Sequence, residues 1–152
     1  MNEISNEGLL RHIGLGRDLN DDLIGQLASI AAQVLVARGA TIFRENQRHP
    51  LVYWIIDGVV KLEMSTSHAG PKAVLTVGTG DLLAWSALLG NQRMTTTAIA
   101  STDGQLIGFD SDRVRQLCDD SYEIGYRFLQ SLAEALSRRL VATRLQLFDL
   151  FE

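Results

Sequence analysis

GTGDLLAWSALLGNQRMTTTA, residues 78–98, is the stretch on which the fold turns. A Gly-x-Gly-Asp turn at 78–81 leads into a short apolar, helix-like run. A polar loop follows, and then a Thr-rich strand. Backbone N–H groups converge where a helix begins, so turn, short helix and strand together predict a pocket for a small anion.

Upstream and downstream of this stretch, residues 33–110 read as strands. The candidates are 33–38, 40–44, 51–57, 59–64, 73–77, 95–100 and 105–110, rich in Val, Ile, Thr and aromatics. Gly39, Asp57-Gly58, Gly78, Gly80 and Asp103-Gly104 punctuate them as turns. Short strands at regular spacing predict a sandwich or barrel rather than a βαβ sheet. Residues 4–31 read as two short helices separated by Gly14 and Gly16, with Asn20 or Asp21 capping the second. Residues 111–118 predict another short helix. Asp119, Asp120 and Ser121 then offer caps for a long final one. Its apolar stripe is Phe128, Leu132, Ala135, Leu136, Leu140, Leu147 and Phe148, and Arg138, Arg139 and Arg144 fall on its polar side. The expected class is α+β: an antiparallel, jelly-roll-like β-roll of about eight strands. It carries N-terminal helices (1–31), a short helix at 84–89 and C-terminal helices (111–150). The whole chain, 1–152, reads as one domain.

The bulk chemistry excludes several functions. A formal net charge of −4 argues against a broad nucleic-acid-binding surface, because phosphate neutralisation needs a basic excess. The lone Cys118 builds neither an intrachain disulfide nor a multi-cysteine metal site, and beside Asp119 and Asp120 it is disfavoured as a thiolate. His12, His49 and His68 lie in separate segments without a His-x-His pair, so no metal site is expected. No Walker A, G-x-S-x-G or G-x-G-x-x-G pattern occurs, and no catalytic residue is assigned. The polar, acidic N-terminus is unlike a signal peptide, and no apolar run reaches a membrane span. The expected address is therefore cytoplasmic.

From roughly residue 8 to 148 the chain resembles the cyclic nucleotide-binding domains, the family of the bacterial catabolite activator and the kinase A regulatory subunit. ARGATIFRENQRHPLVYWIIDGVVKLE, 37–63, is similar to the family's G-x-x-L-F-x-E-G-D, apolar strand and G-x-V. Gly39, Glu45 and Gly58 fall in place, and Asn46 stands where the family has Gly. Asn tolerates a left-handed backbone, so that turn is expected to survive. LIGFD, 106–110, resembles the strand before the penultimate helix.

In nucleotide-binding members the phosphate-binding cassette reads F-G-E-L-A-L, a loop, then P-R-A-A-T. The Glu accepts from the ribose 2′-hydroxyl and the Arg pairs with the cyclic phosphate. Aligned without gaps, Ala84 stands for the Gly, Trp85 for the Glu and Met94 for the Arg, while Arg93 occupies the Pro position. A one-residue gap in the loop would return Arg93 to the phosphate role. Trp85 is either a pocket-filling indole or a stacking platform. The ligand-binding candidates are Ala84, Trp85, Ser86, Arg93, Met94, Thr95 and Thr96, with Arg93 supplying charge.

The resemblance implies a non-enzymatic regulatory domain that senses a small anion, cyclic nucleotide or other, without a cofactor. It also implies signalling through the last helix, with a homodimer paired over 121–148. The alternative is a degenerate domain with a filled pocket, acting as a dimeric interaction scaffold. The sequence leaves no room after that helix for the winged helix-turn-helix of the activators, so direct DNA reading is not expected.

Overall fold

The computed structural model describes residues 4–89 and 91–151, without the side chains of Leu150 and Phe151. Helix α1, Asn6–His12, is capped by the Ser5 hydroxyl, which accepts from Gly8 N–H. Helix α2, Asp21–Ser29, is capped by Asn20, whose side chain accepts from Leu23 N–H, so Asn20 rather than Asp21 fills that role. Eight strands follow: β1 Ala31–Val36, β2 Thr41–Phe43, β3 Leu51–Asp57, β4 Val60–Thr66, β5 Gly70–Val77, β6 Leu82–Leu83, β7 Thr97–Ala100 and β8 Gly104–Asp110. A 3-10 turn, Trp85–Leu88, lies between β6 and β7. Helix α3, Ser111–Asp120, and the 30-residue helix α4, Tyr122–Phe151, complete the described chain.

All strand pairings are antiparallel and form two four-stranded sheets, β1-β8-β3-β6 and β2-β7-β4-β5. The expected roll with its four flanking helices is borne out. Several boundaries moved: β5 begins at Gly70 rather than at 73 and β7 at Thr97 rather than at 95, and two further changes have a tertiary cause. Ala31 and Ala32, which have no strand-forming bias, are drawn into β1 by pairing with Phe109 and Gly108. Leu82 and Leu83, read from sequence as part of an apolar helix-like run, form β6 against Trp54 and Tyr53.

Within the first sheet β3, β6 and β8 are buried on both faces while β1 is partly exposed, which is why β3 reads as a nearly unbroken apolar run. Successive side chains alternate between two cores. Val52, Trp54, Ile56, Leu82, Ile107 and Phe109 face the helices. Tyr53, Ile55, Leu83 and Leu106 face the second sheet, where they meet Phe43, Val60, Leu62, Met94 and Ala98. In the helical core Trp54, Phe109 and Phe128 form a closed edge-to-face triad, with centroids 5.3–5.9 Å apart and planes at 79–87°. Phe128 thereby fastens α4 to the roll.

Close backbone approach explains one glycine pair. A Cβ on Gly58, whose φ is +107°, would lie 2.9 Å from the Gly104 Cα, and one on Gly104 would collide with the Asp57 carbonyl. Asn46 has φ 68°, so the left-handed turn survives without glycine.

Helix α4 divides in two. Ile124, Phe128, Leu132 and Ala135 are buried, and Leu136 packs beside them. Leu140, Leu147 and Phe148, expected on the same stripe, are 51–66% exposed, as are Val141 and Leu145. Tyr122, Tyr126 and Leu129 extend this exposed apolar face toward the helix start. No helix among the described residues is long and apolar enough to cross a membrane.

Candidate functional site: the cassette and the arginine that closes it

The Gly-x-Gly-Asp turn is held by Asp81, whose carboxylate accepts from Gly78 N–H at 2.9 Å. Gly80 N–H reaches back to the Ile55 carbonyl at 2.8 Å. This turn launches β6, which leads through Ala84 into the 3-10 turn. Ala84, standing where the family places glycine, adopts φ 62°, ψ 33°. The left-handed corner is thus kept at the cost of a strained, buried alanine, roughly 1–2 kcal/mol. Two side chains tie the 3-10 turn to α3. Arg115 donates to the Leu88 carbonyl at 2.8 Å, and Gln92 bridges the Ala87 carbonyl and the Ser111 hydroxyl.

Behind the turn lies a small cavity lined by Ala84, Trp85, Ser86, Met94, Thr95 and Thr96, together with Phe43, Leu62, Leu83 and Arg139. Six of the seven residues singled out from sequence therefore converge. The free space is only ≈ 10 Å³, about what one water needs. Met94 is 2% exposed and belongs to the inner core, so the position that carries arginine in nucleotide-binding members is hydrophobic packing here. Trp85 is half-buried, bridging the cavity and the helical core.

Arg93 stands apart. It is exposed, donates through Nη1 to the Asn46 carbonyl at 2.7 Å, and its backbone makes an isolated bridge with Arg48. Thr95 and Thr96 precede β7, which begins only at Thr97. There the hydroxyl is already used, accepting from Glu45 N–H at 2.9 Å.

The charge in the cavity wall comes from Arg139, on α4. Its guanidinium donates to the Leu82 carbonyl at the start of the cassette. Burial holds its pKa below the ordinary arginine range, while the nearby Asp81 carboxylate opposes that shift. By sequence pattern alone Arg139 falls on the polar side of the helix with Arg138 and Arg144. One signal could have singled it out: Phe128, Leu132, Ala135 and Arg139 follow one another at intervals of four, three and four, so Arg139 prolongs the buried stripe.

The other reactive residue types lie elsewhere. His49 Nε2 and the Tyr53 hydroxyl share a hydrogen bond of 2.7 Å. Burial lowers the His49 pKa and pushes that of Tyr53 up to about 12. Burial, reinforced by Asp119, raises the Cys118 thiol pKa. Among the described residues no three His, Cys, Asp or Glu side chains converge on a metal position.

Comparison with known proteins agrees with this architecture. The chain is 26% identical over 130 residues to a CRP-like cAMP-activated global transcriptional regulator of Mycobacterium tuberculosis. That match covers 86% of this chain and 58% of the regulator, so the chain spans little more than half of that relative's length. A cyclic nucleotide-binding domain from Methylobacillus flagellatus superposes with a TM-score of 0.85 at 15% identity, over 95% of this chain and 85% of that one. The catabolite activator protein of Thermus thermophilus gives 0.70 at 22% identity, over 90% and 62%. Residues 33–121, from β1 to the end of α3, match the model of the cyclic nucleotide-binding domain, and the chain belongs to that family.

Proposed function

We propose that the chain is a non-enzymatic, cytoplasmic regulatory domain that admits a small anionic ligand to the cassette and reports it through α4. Cyclic nucleotides are the first candidates, since the Mycobacterium tuberculosis relative is described as cAMP-activated. The observation that carries the proposal is the position of Arg139. Among the described residues, Arg139 is the one residue of α4 that lines the cassette cavity, and it is held there by a hydrogen bond to the Leu82 carbonyl. An incoming anion offers that guanidinium a charged acceptor in place of a neutral one, and charge-assisted bonds of this kind are the stronger. Thr95 and Thr96 add hydroxyls to the same lining, and Trp85 supplies an aromatic face. Repositioning Arg139 shifts the half of α4 that is free of the core. That half carries the exposed Leu140, Val141, Leu145, Leu147 and Phe148. With Tyr122, Tyr126 and Leu129 these side chains form the face through which two copies pair, because an apolar surface of this extent on one helix is otherwise left in water.

Titration calorimetry with cyclic AMP and cyclic GMP tests the ligand. The expected result is a dissociation constant of about 1 μM for one of them, weakened at least about tenfold in Arg139→Met. Absence of heat from both nucleotides at millimolar concentration would reject it.

A second reading is favoured by the ≈ 10 Å³ of free space and by Met94. Here the cassette is filled by its own side chains and the domain is a dimeric scaffold. It predicts silent titrations together with a dimer in analytical ultracentrifugation, which Leu140→Lys disrupts.

A further inference from the structure

The geometry points to a second anion-binding site, remote from the cassette. It is an open recess between the α1–α2 connection and the first half of α4, with ≈ 130 Å³ of free space. Arg17 comes from the connection, and Arg127 and Arg138 from α4. Asp18 and Glu134 also border the recess, and the buried Trp54 forms its floor. Three guanidinium groups against two carboxylates leave a local excess of one positive charge on a chain whose net charge is −4. That reversal is local and comes from two separate elements.

Two further observations describe how these donors are held at the recess. Arg127 Nε is sealed from solvent and has no hydrogen-bond partner, the single such side-chain atom found among the described residues. Its Nη1 donates a long hydrogen bond to Gln130 Oε1 at 3.4 Å and lies 3.6 Å from Asp18 Oδ2, an ion-pair distance that is too long for a hydrogen bond. A buried donor left unpaired is destabilising, and Nε is satisfied only if the Arg127 side chain turns it toward an acceptor in the recess. Meanwhile Gly14, with φ +81°, makes room for the second arginine: a Cβ there would stand 3.0 Å from Arg17 Nη2. The guanidinium therefore packs close against this glycine, where a Cβ would displace it by a few tenths of an ångström, on a turn that only glycine readily forms.

Size and chemistry define the ligand class. The recess is well below the roughly 300–1,000 Å³ of sites that enclose larger organic ligands, so it suits an oxyanion of phosphate size. Planar guanidinium forks match such oxygens bidentately. Free phosphate and the phosphoryl group of a small ester share this chemistry.

The test is a ¹H–¹⁵N NMR titration of the full chain with inorganic phosphate, against sodium chloride of equal ionic strength. Glycerol phosphate in a parallel series distinguishes an ester from the free ion. Saturable shifts are expected at the Gly14 and Gly16 amides and at the Trp54 indole N–H. Arg138→Gln should weaken binding about tenfold. Glu134→Gln, which removes a repelling carboxylate, should tighten it about threefold, a change of sign that loss of folding cannot imitate. Shifts no different from those with chloride, or saturation that neither variant alters, would overturn the assignment. Ser86 and Thr96 amides report the cassette separately, so failure at one site leaves the other standing.

Discussion

Replacing Arg139 by Met removes the guanidinium while keeping an unbranched side chain, so the perturbation is confined to the cassette closure. The lost interaction is one hydrogen bond from a charged donor to the Leu82 carbonyl, worth about 1.5–3 kcal/mol when both partners are held in place. At about 1.4 kcal/mol per factor of ten, that is roughly a 10- to 150-fold rise in the equilibrium for lifting distal α4 from the cassette. The half-buried guanidinium regains hydration when it leaves, which sets the expectation nearer the lower end. The proximal half should not respond, because Ile124, Phe128, Leu132 and Ala135 remain buried. Native-state amide hydrogen exchange resolves the two halves. Protection should fall about tenfold at Leu82, Leu83, Ala87 and along 139–145, and stay within about twofold at 124–135 and in β8. Unchanged exchange at the cassette, or a uniform loss extending to β8, would refute the idea that Arg139 is the joint between the two.

Three further outcomes follow from the packing. Phe128→Ala removes two edge-to-face partners from the aromatic triad and leaves a cavity, costing about 3–5 kcal/mol in urea unfolding; a loss below about 1 kcal/mol would mean that α4 is not fastened there. Met94→Arg inserts a cation at a position 2% exposed, and the uncompensated charge should cost about 3–5 kcal/mol, read as a melting temperature lower by roughly 6–20 °C. An unchanged melt would show that the cavity opens readily. His49 has a lowered pKa in the fold, so the unfolded chain binds the extra proton first. Its contribution is full above the unfolded value of about 6.5 and declines as pH falls from there through the folded pKa. Unfolding free energy should drop over that window, and His49→Gln should flatten the drop.

The fold was legible wherever a residue's local chemistry and its tertiary role agree. Asn20 caps α2, Ser121 accepts from Ile124 N–H at the start of α4, Asn46 takes the left-handed turn, and β3 runs from Leu51 to Asp57 as its β-branched and aromatic content suggests. Legibility failed where tertiary contacts outvote local preference. Leu82 and Leu83 are adjacent apolar residues that serve different cores, and two residues are too few to display an alternation. The apolar stripe of α4 looked continuous because Leu140, Leu147 and Phe148 carry the same side-chain chemistry as the buried Phe128 and Leu132, although they lie on its exposed face. At the cassette, convergence of the lining was readable by position, but the source of its positive charge was not. Arg93 is the nearest arginine in sequence yet is tied to Asn46, whereas Arg139 arrives from 57 residues beyond Leu82. Long-range pairing of that kind leaves no trace in local composition.

The most direct test of the account follows the cassette and the helix in one experiment. Backbone amides of Ser86, Thr96 and residues 139–145 are monitored by NMR while cyclic AMP or cyclic GMP is added. The account predicts that both groups of signals shift along one binding curve, with a shared dissociation constant. Cassette signals that saturate while those of 139–145 stay still, or helix signals that move without the cassette, would contradict it.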